Sequence, residues 1–191
     1  MLHAAHTPKR RCKRALRDTY AIEPVAPKLN HWSARPITFD HRDYPTSMQH
    51  GGSAALVLDP IIDGYHLTCV LMDGSSSLNL IYQDTVRRMG MDPSRISQSN
   101  TTFEGVIPGV EARCRGSLVL EVTFGSPGNF RSEELLFTIA PLQSGYHALL
   151  GRMAFARFNA VPHYTYLKLK MPGPRGVITV NGNTEHSLHR V

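Results

Sequence analysis

The sequence predicts a mainly β domain, a compact barrel or sandwich interrupted by one or two short helices. Three observations carry that reading. From residue 37 onward, short apolar or β-branched runs alternate with Gly, Pro, Asn and Asp at strand-and-turn spacing. Only two segments have helical character, and no repeat of fixed period is present. The excess charge is confined to the N-terminal tail. Residues 1–35 hold eight Lys and Arg against Asp18 and Glu23, which is the whole net charge of +6. The body from residue 36 is neutral and has no electrostatic reason to seek phosphate.

In chain order, the β runs are residues 54–58 (AALVL) and 65–72 (YHLTCVLM), joined by DPIIDG, which reads as a turn-rich connection. Residues 78–81, 101–107, 112–124, 134–140 and 147–150 follow. Residues 164–170 (YTYLKLK) alternate, which predicts one face of Tyr164, Tyr166, Lys168 and Lys170. The two lysines then read as the solvent face of an edge strand, where lysine discourages unwanted pairing. Residues 177–180 form a last short run. The helical segments are 83–89 (QDTVRRM), closed by Gly90 at the expected C′ position, and 151–158 (GRMAFARF). In the second, Met153, Phe155 and Phe158 are spaced for one buried face. Together these set a folded domain over 36–182, a disordered basic tail over 1–35 and a disordered terminus over 183–191.

Composition excludes several classes of function. No run approaches the ~18 apolar residues of a membrane span. The first residues, MLHAAHTPKRRCKR, lack the apolar stretch of a secretory signal. The three cysteines, Cys12, Cys69 and Cys114, have no CxxC or Cys/His ligand spacing, so neither metal nor cofactor is expected and a cytoplasmic or nuclear setting fits. No G-x-S-x-G elbow supports serine hydrolase chemistry, and no Walker or G-x-G-x-x-G run supports a nucleotide site. The basic cluster of residues 9–17 reads equally as a nonspecific nucleic-acid contact, a nuclear signal or a solvated tail.

The informative stretch is residues 68–82, TCVLMDGSSSLNLIY. Two readings of Asp73 stand. Asp-Gly is a strong two-residue hairpin signal, so VLM and LNLI could be paired strands around a tight turn. Alternatively, an apolar strand delivers a carboxylate to a rigid loop of small residues before the chain returns to the core. That is the layout required of half an aspartic protease site. Two carboxylates held together share one proton, because like charges so close cannot both ionise. One takes a proton from water and the other protonates the scissile carbonyl. A chain with one such loop needs a second copy of itself, related by a two-fold axis. FEGVIPG (103–109) is likewise open between an ordinary Gly/Pro connection and a mobile hairpin able to close over a ligand.

The loop resembles that of retropepsin-type aspartic proteases, in the form found in plant gypsy-class LTR retrotransposon polyproteins, where it commonly reads D-G-G-S-S-[LI]-N. The resemblance extends through ITFDHRDYPTS, FEGVIPG, VTFGSPGNFRSEELLFTI and YHALLGRMAFARFNAVPHYTYLKLKMPGPRGVITV, or residues 37–180. It implies a retropepsin-like closed barrel active as a homodimer. Asp73 would be the catalytic residue, in a loop with Gly74, Ser75, Ser76 and Ser77. Phe103, Glu104, Gly105, Val106, Ile107, Pro108 and Gly109 would begin the flap. Leu149, Leu150, Gly151 and Arg152 would brace the active-site strand. The implied substrate is a polypeptide, a retroelement polyprotein, cleaved without metal or cofactor.

Two departures from the pattern bear on the chemistry. The usual triplet is Asp, then Thr or Ser, then Gly, and here it is Asp73-Gly74-Ser75. Gly74 lacks the hydroxyl that in the family bonds across the dimer axis. If Ser75 had to adopt φ > 0, its Cβ would cost about 1 kcal/mol or more. Arg152 in turn meets Ser77 where many relatives have an acidic partner. The sequence therefore supports two functions: a dimeric aspartic endopeptidase, or a non-catalytic module of the same fold that binds through its basic tail.

Overall fold

A computed structural model describes residues 35–45, 54–98, 102–104 and 111–188; of 102–104, 111–113 and 188 only the backbone is described. The basic cluster of residues 9–17 and residues 105–109 of the expected flap segment lie outside them. The architecture is mainly β. Thirteen described strands form an eight-stranded sheet, a three-stranded sheet and a two-stranded hairpin, with three short helices.

The large sheet uses β1 (Val57–Leu58), β2 (Ile61–Ile62), β3 (Tyr65–His66), β4 (Val70–Met72), β5 (Asn79–Tyr82), β8 (Ser117–Ser126), β9 (Asn129–Ala140) and β10 (Ala148–Leu150). Their spatial order is β1-β4-β10-β5-β9-β8-β2-β3. The longest pair, β8 and β9, runs antiparallel from Ser117 opposite Thr138 to Ser126 opposite Asn129. Its period-two pattern shows directly: Leu118, Leu120, Val122 and Phe124 are buried, and their partners Leu135 and Phe137 join them in the core. Each fully buried side chain such as Phe137, Ile81 or Leu150 contributes about 1.5–3 kcal/mol over exposure.

Two Asp-Gly pairs occur, and they fold differently. Asp63-Gly64 has φ of 50° and 81° and closes the β2–β3 hairpin, as a type I′ turn requires. The segment expected to be a plain connection, DPIIDG, thus contributes a strand that also pairs with β8. Arg95 donates to both Asp63 oxygens at 2.7 and 3.0 Å and holds the carboxyl below its ordinary pKa. Asp73-Gly74, by contrast, closes no hairpin. Strand β10 lies between β4 and β5, parallel to the first and antiparallel to the second. The chain must therefore arch over the end of β10.

Helix α1 (Gln83–Arg88) ends at Met89 with Gly90 at φ 62°, the left-handed stop expected for it. Helix α2 (Arg152–Phe158) forms where expected but buries a different face. Ala154 and Phe158, one turn apart, are in the core, Phe155 is half-buried, and Met153 is exposed. The buried Arg131 of β9 donates to the carbonyls of Arg157 and Phe158, satisfying orphan acceptors at the end of α2, and also pairs with Glu133. The expected single strand over 112–124 is broken: β7 (Glu111–Arg113) pairs with β6 (Thr102–Glu104), and Gly116 at φ 114° separates it from β8.

The three-stranded sheet is β11 (Val161–His163), β12 (Lys168–Gly173) and β13 (Gly176–Asn181), with β12 central. This corrects the alternating-strand expectation for 164–170. Residues 164–167 form a turn, with Leu167 at φ 48°, and the strand begins only at Lys168. Nor does Lys170 face solvent on an edge. Its ammonium donates to Asp43 Oδ2 at 2.6 Å and to the Thr38 carbonyl at 2.8 Å, and lies 4.7 Å from the Phe39 ring centroid. Residues 35–45 thus cover one face of β12 while Leu169 and Met171 enter the core from the other. The expected disorder from residue 183 is also not met over 183–188. Helix α3 (Thr184–Leu188) forms there, because Asn183 anchors it through its backbone to Val57, its amide to Asp59 and its carbonyl to Ser187.

Lys170 holds the Asp43 carboxyl below its ordinary pKa. A depressed native pKa contributes stability that is complete above the unfolded value of about 4 and lost as pH falls through the native one. Asp43→Asn is expected to lower stability at pH 7 by about 1.5–3 kcal/mol, the worth of a hydrogen bond to a charged group. Denaturant melts from pH 7 to pH 2 should show the two proteins converging as the pH falls.

Candidate active site

Strand β4 carries Asp73 out of the core behind Val70 and Met72, both buried. The Asp73 N–H donates to the Leu150 carbonyl at 3.0 Å, so β10 fixes the point at which the loop begins. Inside the loop, Asp73 Oδ1 accepts from the Ser75 N–H at 2.9 Å and from Ser75 Oγ at 2.6 Å. The Ser76 N–H donates to the Asp73 carbonyl at 3.2 Å. This is a local turn built on an aspartate side chain, with a serine hydroxyl added. Among the described residues Oδ2 of Asp73 accepts no hydrogen bond, and the carboxylate is half-buried.

The return limb is clamped to the same place. Ser76 Oγ accepts from the Leu78 N–H at 3.2 Å and donates to the Leu78 carbonyl at 2.9 Å. The Ser76 carbonyl accepts from the Arg152 N–H at 2.9 Å. The Gly151 N–H donates to Asn79 Oδ1 at 3.0 Å, and the Asn79 amide donates to the Leu136 carbonyl at 3.1 Å. A Cβ on Gly151 would stand 2.3 Å from the Leu78 carbonyl oxygen and 2.7 Å from that of Ser76. The glycine is there because two backbones meet face to face.

The expected site residues thus separate into three groups. Asp73, Gly74, Ser75 and Ser76 come together with Leu149, Leu150, Gly151 and the Arg152 backbone. Ser77 and the Arg152 side chain are exposed, and Arg152 enters no ion pair among the described residues. Phe103 and Glu104 lie in β6, opposite Ala112 and Glu111, so a hairpin exists where the flap is expected. Gly105, Val106, Ile107, Pro108 and Gly109 lie outside the described residues.

The backbone cost that a positive φ would impose on Ser75 does not arise. Ser75 has no positive φ, and neither does Gly74, so neither position requires glycine for its dihedrals. Sequence reasoning missed Asn79, the buried amide that ties loop, β10 and β9 together. A lone amide in an otherwise apolar LNLI was the available signal. It also placed neither Tyr164 nor Phe155 at the loop, although both stand near Gly74. Beyond Ser77, an apolar groove of about 410 Å³ runs along Leu78, Val119, Leu136 and Met153, rimmed by Glu134 and Arg157.

No protein-family profile matches the chain, and no curated protein matches it. Among solved structures it is similar to the retroviral protease-like domain of Ddi1 from Leishmania major, at 12% identity and a TM-score of 0.47, over 70% of this chain and 97% of that one. It is similar to EIAV protease in complex with the inhibitor HBY-793, at 17% identity and a TM-score of 0.45, over 62% and 98% of the two chains. A retropepsin-like aspartic protease from Rickettsia conorii aligns at 12% identity and a TM-score of 0.43, over 67% and 83%.

The two glycines should respond oppositely to an added methyl. Gly151→Ala is expected to destabilise by about 3 kcal/mol, the upper end for overpacking, since both obstacles are backbone. At Gly74 an added Cβ meets nothing closer than 3.5 Å. Gly74→Ala should therefore stabilise by about 0.4–1 kcal/mol through the unfolded state. Chemical denaturation of both variants reads the contrast.

Proposed function

We propose that the chain is an aspartic endopeptidase that works as a homodimer, with Asp73 of each copy forming a dyad around one water. The observation that carries this reading is the clamp on the Asp73 loop. A carboxylate at the end of a buried strand is held by β10 on one limb and by Gly151 and Arg152 on the other. Its Oδ2 is left without a partner among the described residues. One chain supplies one such carboxylate, and proton sharing needs two. In the dimer the ionised member draws a proton from water, which attacks the scissile carbonyl carbon. The protonated member gives its proton to the carbonyl oxygen, and collapse of the tetrahedral intermediate expels the amine. No metal or cofactor has a role in these steps.

The substrate class is an extended polypeptide, and the resemblance of the loop and of residues 146–180 to the gypsy-class pattern supports a retroelement polyprotein as the natural one. The β6–β7 strand pair is proposed to cover the bound peptide and exclude water. A cytoplasmic or nuclear location goes with such a substrate. The segregation of the net charge into residues 1–35 supports an accessory, nonspecific contact with nucleic acid through residues 9–17. Deleting residues 1–35 should remove salt-dependent nucleic-acid binding and leave peptide hydrolysis intact.

The decisive comparison is between the wild type and Asp73→Asn on an unstructured protein substrate at mildly acidic pH. The wild type should cleave, and the variant should lose at least about a hundredfold in rate, the lower range for a general acid–base group. Equal cleavage by the two would show that Asp73 is not the catalyst. Ser75→Gly restores the glycine of the usual triplet, and a raised kcat would mark the Ser75 side chain as an obstacle at the dyad. A non-catalytic module of the same fold would cleave in neither form.

A further inference from the structure

Gly74 presents a problem that the clamp does not solve. It follows the proposed catalytic residue, and glycine is the least restrained residue in the chain. Loop hydrogen bonds hold Asp73, Ser75 and Ser76, but Gly74 has no side chain with which to anchor the segment between them. The space that such a side chain would enter is nevertheless bounded from outside the loop. A Cβ built on Gly74 would lie 3.5 Å from Tyr164 Oη and 4.0 Å from the Phe155 ring edge. Both are ordinary van der Waals distances. The two aromatic residues therefore wall the space in front of Gly74, at the distance an added methyl would touch.

Tyr164 is itself firmly placed. It begins the turn between β11 and β12, and its carbonyl accepts from the Leu167 N–H at 3.2 Å. His163 stacks on Tyr166 at 3.8 Å between centroids, and the Tyr166 N–H donates to His163 Nδ1 at 3.2 Å. Phe39 and Tyr44, from the segment that pairs Asp43 with Lys170, pack on this pair at 5.0 and 5.6 Å. Among the described residues the Tyr164 hydroxyl makes no hydrogen bond, and the side chain is 40% exposed. A bulky aromatic residue is thus held by a rigid turn, with its tip against the one loop position that lacks a side chain.

We propose that Tyr164 is a positioning residue of the Asp73 loop, its phenol walling the space beside Gly74 at the distance a side chain there would touch. It acts on the chemistry only through the loop, by limiting the dihedral freedom of Gly74 and so the placement of the Asp73 carboxylate. The kinetic consequence rests on the protease reading above. The structural consequence does not.

The test measures both in the full chain. Tyr164→Ala should speed hydrogen–deuterium exchange of the Gly74, Ser75 and Ser76 amides by about tenfold, with β8 and β9 unchanged, as expected for local opening. It should lower kcat by about tenfold to a hundredfold with KM within about twofold, the signature of misplacement rather than lost substrate binding. The double variant Gly74→Ser/Tyr164→Ala, which returns a side chain to the loop, should recover most of both losses. Tyr164→Phe, which removes only the atom nearest Gly74, should move both readouts in the same direction by about threefold and serves if the alanine variant does not fold. Unchanged exchange at residues 74–76 in the folded variants overturns the proposal. So does a raised KM with unaltered kcat, which would make Tyr164 a substrate contact. A wild type without hydrolytic activity overturns the protease assignment instead, and the exchange comparison still decides the role of Tyr164.

Discussion

The insertion of β10 between β4 and β5 is the constraint on which the rest of the site depends. It separates the two strands that flank Asp73, so the loop between them must span a third strand rather than turn back on itself. It also supplies the acceptor for the Asp73 N–H, Leu150, and then leads directly into Gly151 and Arg152, whose amides hold the other limb. A single strand end thus fixes both sides of a carboxylate-bearing loop. Because Gly151 lies against two carbonyl oxygens, the arrangement has little room to relax. Rigidity of this kind is what a reacting carboxylate requires, since its effect depends on placement to within a fraction of an ångström.

Around this centre the fold places two further supports. On one side Asn79 passes the constraint into the large sheet through Leu136. Farther off, the buried guanidinium of Arg131 anchors the end of the helix that starts at Arg152. On the other side the three-stranded sheet and the segment over residues 35–45 form an aromatic and ionic layer around Lys170, Asp43 and Tyr166. That layer determines where the 164–167 turn lies, and so what stands against Gly74. The layer around Lys170 thus bears on the same turn that places Tyr164 beside the Asp73 loop.

Much of this was legible in the sequence, for reasons that can be given residue by residue. The β run through SLVLEVTF and the helix stop at Gly90 follow from local composition and local dihedral preference, and both appear as expected. Other features were not legible, because their cause is not local. The alternation in YTYLKLK reads as one strand, yet Leu167 takes a left-handed backbone and Lys170 is buried, because residues 35–45 bring a carboxylate and an aromatic ring onto it. Met153 has the spacing of a core residue and is exposed, because α2 settles on Ala154 and Phe158. The two Asp-Gly pairs are chemically identical as dipeptides, and only the strand that enters between β4 and β5 distinguishes them.

By itself, then, the sequence determined that the chain is mainly β, that its charge lies in the tail, and that Asp73 sits in a short small-residue loop between apolar runs. These properties depend on side-chain chemistry and spacing over a few residues. What the tertiary structure alone decided is that Asp73 is held open-armed over β10 rather than folded into a hairpin. It also decided that Ser75 turns its hydroxyl onto the carboxylate without backbone strain, and that Tyr164 stands across the open space beside Gly74. Each of these outcomes depends on which distant segment arrives at the loop, and contacts between segments 70 to 90 residues apart are set by the packing of the whole core rather than by any local preference.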